Sequence, residues 1–251
     1  RDHALKDIGE VKFSNLCTEI MQLSEVSDMG TYYEEDTIRR GISCNLGSLN
    51  IVAVMENKRI KESVKAAMES LTIVSDLTNI DMVPSIKKAN EELHSVGLGA
   101  MNLHGFFAKN FIMYESREAL DFCNVFFMTV NYYSIEKSME IARDRKVTFK
   151  DFEKSEYAKG TYFDKYTETE YLPKTEKVKE LFEGMHIPTK EDWELLKEQV
   201  MENGMYHAYR LAVAPNQSTS YILSSTASVM PIVDTIEVRE YGDSTTFYPV
   251  P

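Results

Sequence analysis

Three side chains able to do chemistry alternate within a seven-residue stretch. "SNLCTEI" (14–20) sets Asn15, Cys17 and Glu19 at every second position, in a chain with only three cysteines. In an extended segment, side chains at i, i+2 and i+4 project to one side, about 6.5 Å apart. The pattern therefore predicts an amide, a thiol and a carboxylate converging on one cavity, with Leu16, Thr18 and Ile20 anchoring the other face. A helix would instead bring Asn15 near Glu19 and swing Cys17 away. A carboxylate neighbour raises a thiol's pKa, which works against a thiolate nucleophile. No histidine lies between His3 and His94 to serve as an activating base. A neutral thiol beside a base suits hydrogen-atom exchange better: the sulfur takes or returns H•, and the carboxylate takes a proton. Taken alone, the stretch reads equally well as a buried cysteine between solvent-facing polar neighbours.

Three further blocks carry residues of interest. "ISCNLGSLNI" (42–51) holds Cys44, preceded by Ser43; by itself this is a buried small residue before a turn. "APNQSTS" (214–220) follows an apolar strand over 209–214: Pro215 ends the strand, and Asn216 to Ser220 offer hydroxyls, an amide and backbone N–H groups at a helix start. Such a stretch reads as an anion site or as an ordinary helix cap. "VGLGAMNLHGF" (96–106) carries Gly97 and Gly99; close backbone approach of a strand packed under a helix is the favoured reading. A phosphate loop is the rival, but the third glycine and the lysine of such motifs are missing.

The elements that must position these residues follow from periodicity. The first fifty-odd residues read as loops and short extended pieces, with "GTYYEEDTIRRG" (30–41) as a surface excursion. "CNLGSLNIVAVM" (44–55) reads as a strand or as the start of a helix. From Ile60, apolar residues at Val64, Ala67, Met68, Leu71 and Val74 mark one helix face. Pro84 opens a shorter helix, and 116–145 forms a long amphipathic one in which Cys123 sits among phenylalanines as a buried apolar cysteine. Helices over 174–184 and 190–203 follow, the second capped by Thr189. Trp193 and the tyrosine-rich 157–171 stretch read as packing. Helices alternating with short strands predict an α/β architecture with largely parallel strands.

Composition sets outer bounds. The 251 residues, 43% hydrophobic, supply a sizeable core, and the net charge of −12 argues against nucleic acid or an anionic membrane surface as partner. No apolar run is long enough to span a bilayer, and the first ten residues lack the apolar core of a signal peptide. Three widely spaced cysteines suit a reducing cytoplasm. No metal-ligand spacing is present. The start without Met and the end on "TTFYPVP" look cut from something longer.

"SNLCTEI", "ISCNLGSLNI", "VGLGAMNLHGF", "APNQSTS" and "SSTASVMPIVDTIE" occur in one order that resembles the large, catalytic subunit of class I ribonucleotide reductases, most closely class Ib. The resemblance runs from about Val11 to the last residue and covers only the central-to-late part of that subunit. It implies a helix-rich fragment of the family's ten-stranded α/β barrel. Residues 1–251 then form one fragment: a cysteine-bearing segment to residue 59, helical and barrel elements over 60–207, and a phosphate-binding strand–loop–helix from 208. By resemblance, Cys17 is the thiyl-radical cysteine that removes the 3′-hydrogen, Glu19 the acceptor of the 3′-hydroxyl proton, and Asn15 the amide that holds the ribose hydroxyls. Cys44 resembles one member of the redox pair whose partner lies upstream. Substrate contacts transfer to Asn15, Leu16, Cys17, Thr18, Glu19, Ser43, Pro215, Asn216, Gln217, Ser218 and Thr219. The resemblance further implies a ribonucleoside diphosphate substrate, a radical-generating small subunit with a dimetal-tyrosyl centre, a glutaredoxin- or thioredoxin-like reductant, and a homodimer at full length. No metal or cofactor is expected on this chain, effector sites lie elsewhere, and the fragment alone is expected to be inactive. An adenosylcobalamin-dependent (class II) reductase and a non-catalytic nucleotide-binding module are the alternatives.

Overall fold

The computed structural model describes residues 3–250. The ambiguous 44–55 stretch is both things in succession: strand β1 (Asn45–Asn50) runs directly into helix α1 (Ile51–Glu56), with the Asn50 side chain accepting from the Ala53 amide as cap. Helix α2 (Ile60–Leu77) buries Val64, Met68 and Leu71 of the predicted face, together with Ile60, Thr72 and Ser75; Ala67 is half-buried, and Val74, expected on the same face, is exposed. Helix α3 (Pro84–Leu93) opens on its proline and closes on His94 in the left-handed region. Strand β2 (Val96–Met101), buried along its whole length, pairs parallel with β1 in the register Gly47 to Leu98 and Ser48 to Gly99.

Helix α4 (Leu103–Lys109) leads to α5 (Arg117–Arg145), capped by the Ser116 side chain. α5 departs from the expected one-sided amphipathic pattern. All of the consecutive residues Met128 to Ile135 are buried, so the helix is covered on most sides. Phe122 stacks on Phe106 (4.4 Å between ring centres) and on Phe126 (5.5 Å), forming the centre of the core. Cys123 is half-buried rather than enclosed, at the rim of this cluster.

Short helices α6 (Asp164–Glu168) and α7 (Glu176–Phe182) precede α8 (Lys190–Asn203), whose Thr189–Asp192 capping box matches the predicted start. Trp193 is 1% exposed and lies flat on Tyr166 at 4.0 Å, so the aromatic stretch is core. The predicted strand over 209–214 is reduced to a single bridge, Leu211 to Leu98, flanked by bonds from the Val96 and Leu98 amides to the Tyr209 and Arg210 carbonyls. It extends the parallel pair to a third line on the far side of β2. Helix α9 (Gln217–Ile222) follows, then a hairpin of β3 (Ile236–Tyr241) and β4 (Ser244–Pro249) that periodicity left unread. Among the described residues the strands form two separate two-stranded sheets and no closed barrel.

Gly97 and Gly99 sit on β2 as predicted, but what comes close to them is not a helix. A Cβ on Gly97 would meet the Leu46 side chain at 2.6 Å and the Cys44 sulfur at 2.8 Å, and one on Gly99 would collide with the Ala212 carbonyl. The two glycines clear one face of β2, and Cys44, Leu46 and the 212–213 backbone occupy it.

Candidate functional site

Residues 14–21 form a turn rather than an extended run. The Asn15 carbonyl accepts from the Thr18 amide (3.1 Å), the Asn15 amide donates to the Ile20 carbonyl (3.2 Å), and Ser14 bridges to Met21 antiparallel. The Asn15 side-chain oxygen accepts from the Ile20 amide at 3.0 Å, and Thr18 takes a left-handed φ of 68°. An asparagine that offers its own side chain to nearby backbone competes with strand structure, and here it reverses the chain. The alternating-face expectation therefore fails. Leu16 is 99% exposed and anchors nothing, Thr18 is exposed, and only Ile20 is buried. Cys17 lies exposed on the turn.

Glu19 turns inward. It lines a pocket of about 480 Å³ together with Leu46, Gly47 and Ser48 of β1 and Ala214, Pro215, Asn216 and Thr219. Two polar atoms of these lining residues are buried without a hydrogen-bond partner in the protein: Oε2 of Glu19 and Nδ2 of Asn216. Each orphan costs about 1–3 kcal/mol if left unpaired, and the two residues that carry them, one an acceptor and one a donor, line the same concave site.

Cys44 lies within electrostatic reach of this carboxylate. Its thiol is pushed up to about 12, first by burial and second by the negative charge of Glu19, so it is a protonated thiol beside a base. The sulfur donates weakly to the Asn45 carbonyl at 3.7 Å.

Two residues that sequence reasoning passed over tie these segments together. Gln22, 2% exposed, accepts the Ser43 amide at 3.1 Å and so joins the Cys17 turn to the Cys44 segment. Tyr209 accepts the Leu23 amide at 3.0 Å and joins the same turn to the segment leading to Pro215. Neither has a motif around it; a buried amide and a half-buried phenol declare themselves only through their partners.

The structure thus brings Glu19, Pro215, Asn216 and Thr219 to one pocket. Asn15 is half-buried with its oxygen held inside the turn, and Ser43 is half-buried with its amide held by Gln22. Leu16, Cys17, Thr18, Gln217 and Ser218 are exposed and outside the lining. At the start of α9 the Asn216 side chain caps no helix amide; its oxygen accepts from Ser228 instead, at 2.9 Å. Among the described residues no group of three His, Cys, Asp or Glu could hold a metal ion, and no helix is long and apolar enough to cross a membrane.

Comparison with known proteins places this geometry. The whole chain, residues 1–251, matches the family described as ribonucleotide reductase, barrel domain. It is 58% identical over 249 residues to a ribonucleoside-diphosphate reductase subunit alpha of Bacillus subtilis, covering 99% of this chain and 36% of that protein. A second B. subtilis relative, the ribonucleoside-diphosphate reductase NrdEB subunit alpha, is 53% identical over 94% of this chain and 22% of its own length. The subunit alpha of Mycoplasma pneumoniae is 47% identical over 93% of this chain and 33% of that protein. The chain therefore spans about a third or less of these curated relatives. With a match along its full length and the glycine-cleared parallel strands that carry the pocket, this chain belongs to the ribonucleotide reductase barrel-domain family.

Proposed function

We propose that this chain carries the substrate pocket of a ribonucleoside-diphosphate reductase α subunit. The reaction is conversion of a ribonucleoside diphosphate and a dithiol to the 2′-deoxy product, a disulfide and water. One observation supports the reading above the others: Glu19 from the start of the chain and Asn216 and Thr219 from its end line one pocket, each side contributing a buried polar atom without a partner.

The residue roles are those that the resemblance gives. Glu19 receives the 3′-hydroxyl proton while Cys17, exposed on the same turn, exchanges the 3′-hydrogen with substrate. Asn15 supports the ribose hydroxyls through its amide nitrogen, its oxygen being held by Ile20. Cys44 supplies one reducing thiol; protonated at neutral pH, it brings its hydrogen with it. The wall from Pro215 to Thr219 holds the diphosphate, with Leu16, Thr18 and Ser43 at the edge of the substrate. The initiating radical comes from a separate dimetal-tyrosyl subunit, and a glutaredoxin- or thioredoxin-like protein regenerates the dithiol in the cytoplasm. The full-length subunit is a homodimer whose effector sites lie outside this chain.

The test uses the full-length subunit with its radical partner and a dithiol reductant. Cys17→Ser abolishes deoxynucleotide formation, and Cys44→Ser stops sustained turnover while still permitting radical attack on substrate. Normal steady-state rates in either variant would overturn the assignment. The 251-residue chain alone, given the same partners, forms no product.

A further inference from the structure

"VGLGAMNLHGF" and "SSTASVMPIVDTIE" are the two blocks to which the proposed chemistry gives no task, and they touch each other. Immediately after β2, Asn102 adopts a left-handed φ of 67° and is 8% exposed. Asparagine is one of the few side-chain-bearing residues that visits this region readily. Both ends of its amide are engaged. Nδ2 donates to the Asn50 side-chain oxygen at the end of β1 (3.1 Å). Oδ1 accepts from the amide (3.1 Å) and the hydroxyl (3.2 Å) of Thr226. The Asn102 amide donates to the Thr226 carbonyl at 2.9 Å. Thr226, 2% exposed, also accepts the Gly105 amide on its hydroxyl at 3.2 Å, and a side chain at Gly105 would collide with the Asn102 oxygen.

From Thr226 the connections lead to the pocket wall. The Ser225 amide donates to the Ser220 carbonyl (2.9 Å), and the Ser220 amide donates to the Asn216 carbonyl (3.0 Å). The Ser228 amide donates to the Asn216 side-chain oxygen, which leaves Nδ2 of Asn216 as the buried donor without a partner. One asparagine thus joins the carboxyl ends of both parallel strands to the segment that carries Asn216 and Thr219.

We propose that Asn102 and Thr226 are positioning residues that set where the Pro215–Thr219 wall stands across the pocket from Glu19, and thereby the affinity for the diphosphate end of the substrate. The proposal rests on the reading of that wall as the diphosphate-holding segment. Neither residue lines the pocket, so both act through Asn216. Asparagine is required at 102 because a donor toward Asn50 and an acceptor toward Thr226 are needed at once, at a left-handed position.

The test is titration of the full-length subunit with a ribonucleoside diphosphate and with the matching ribonucleoside, alongside steady-state kinetics. Asn102→Gly keeps the backbone conformation and removes the side-chain bonds; Thr226→Val removes the hydroxyl at constant shape; Thr226→Ser restores it. Diphosphate affinity falls about tenfold in the first two and recovers in the third. KM rises with kcat held, and nucleoside affinity moves by less than about twofold. Unchanged diphosphate affinity, or equal loss for nucleoside and diphosphate, overturns the proposal. If Asn102→Gly fails to fold, the Thr226 pair decides alone. Thr219→Glu separates the two layers. If it too leaves diphosphate affinity intact, the reading of the wall fails and the proposal with it. If it weakens binding while Asn102 and Thr226 variants do not, only the positioning proposal falls.

Discussion

Gly97 makes room for the sulfur of Cys44: a Cβ at position 97 would lie 2.8 Å from Sγ. A carbon in that place would also press on Leu46 at 2.6 Å and on Ala212 at 3.0 Å. Gly97→Ala therefore overpacks the face of β2 and costs about 1–3 kcal/mol. Because part of that clash is with the thiol, combining it with Cys44→Ala costs less than the sum of the two single changes. Thermal denaturation of the four proteins measures this, and strict additivity would remove the thiol contact as a cause.

The three thiols differ in reactivity for physical reasons. Cys17 is exposed, whereas burial pushes Cys123 up to about 11 and burial with the Glu19 charge pushes Cys44 up to about 12. The thiolate is the attacking species, so a raised pKa means slow alkylation that quickens only as pH climbs toward that value. At about pH 8, iodoacetamide modifies Cys17 first, Cys123 and Cys44 far more slowly. Glu19→Gln removes one of the two causes acting on Cys44 and speeds its modification. Site-resolved mass spectrometry reads all three rates, and a Cys44 rate indifferent to Glu19 contradicts their electrostatic contact.

Thr18 holds a φ of 68° on an exposed turn. A β-branched residue in that region carries strain on the order of 1 kcal/mol. Thr18→Asn, which tolerates the conformation and gives up no packing, stabilises the chain by about 0.5–1 kcal/mol. A lower melting temperature for this variant would mean that the hydroxyl does something on the turn beyond filling space.

His207 is wholly buried between the Thr72 hydroxyl (2.9 Å) and the Ser138 hydroxyl (3.0 Å). Thr72 already donates to the Met68 carbonyl, and Ser138 accepts the His207 amide, so the ring carries its proton on Nε2 and accepts on Nδ1. Burial, then the charges of Arg210, His94 and Arg145, hold the ring's pKa well below 6.5. The folded chain stays neutral here while the unfolded chain takes a proton, so this contribution to stability is present above about pH 6.5 and is lost as pH falls below it. His207→Gln flattens the decline of melting temperature between about pH 6.5 and 5; an unchanged slope would show that His207 protonates in the folded state.

Much of the scaffold was legible because its signals are local. Pro84 at the start of α3, Ser116 and Thr189 at the caps of α5 and α8, and the apolar spacing of α2 each act within one or two helical turns. The β3–β4 hairpin was passed over although Gly242, at a φ of 57°, marks its turn. The extended reading of 14–20 failed at Asn15: period two describes a strand and a tight turn alike until the side chain's partner is known, and that partner is the Ile20 amide.

By itself the sequence determined the family, the order of its motifs and the residue types that chemistry needs, since these are properties of a string. Only the tertiary structure decided that Glu19 shares a pocket with Asn216 and Thr219 while Cys17 stays on the exposed turn, that Gly97 of β2 makes way for Cys44, and that Asn102 reaches Thr226. Those pairings join residues remote in the chain through single hydrogen bonds and missing methyl groups, and no local periodicity carries that information.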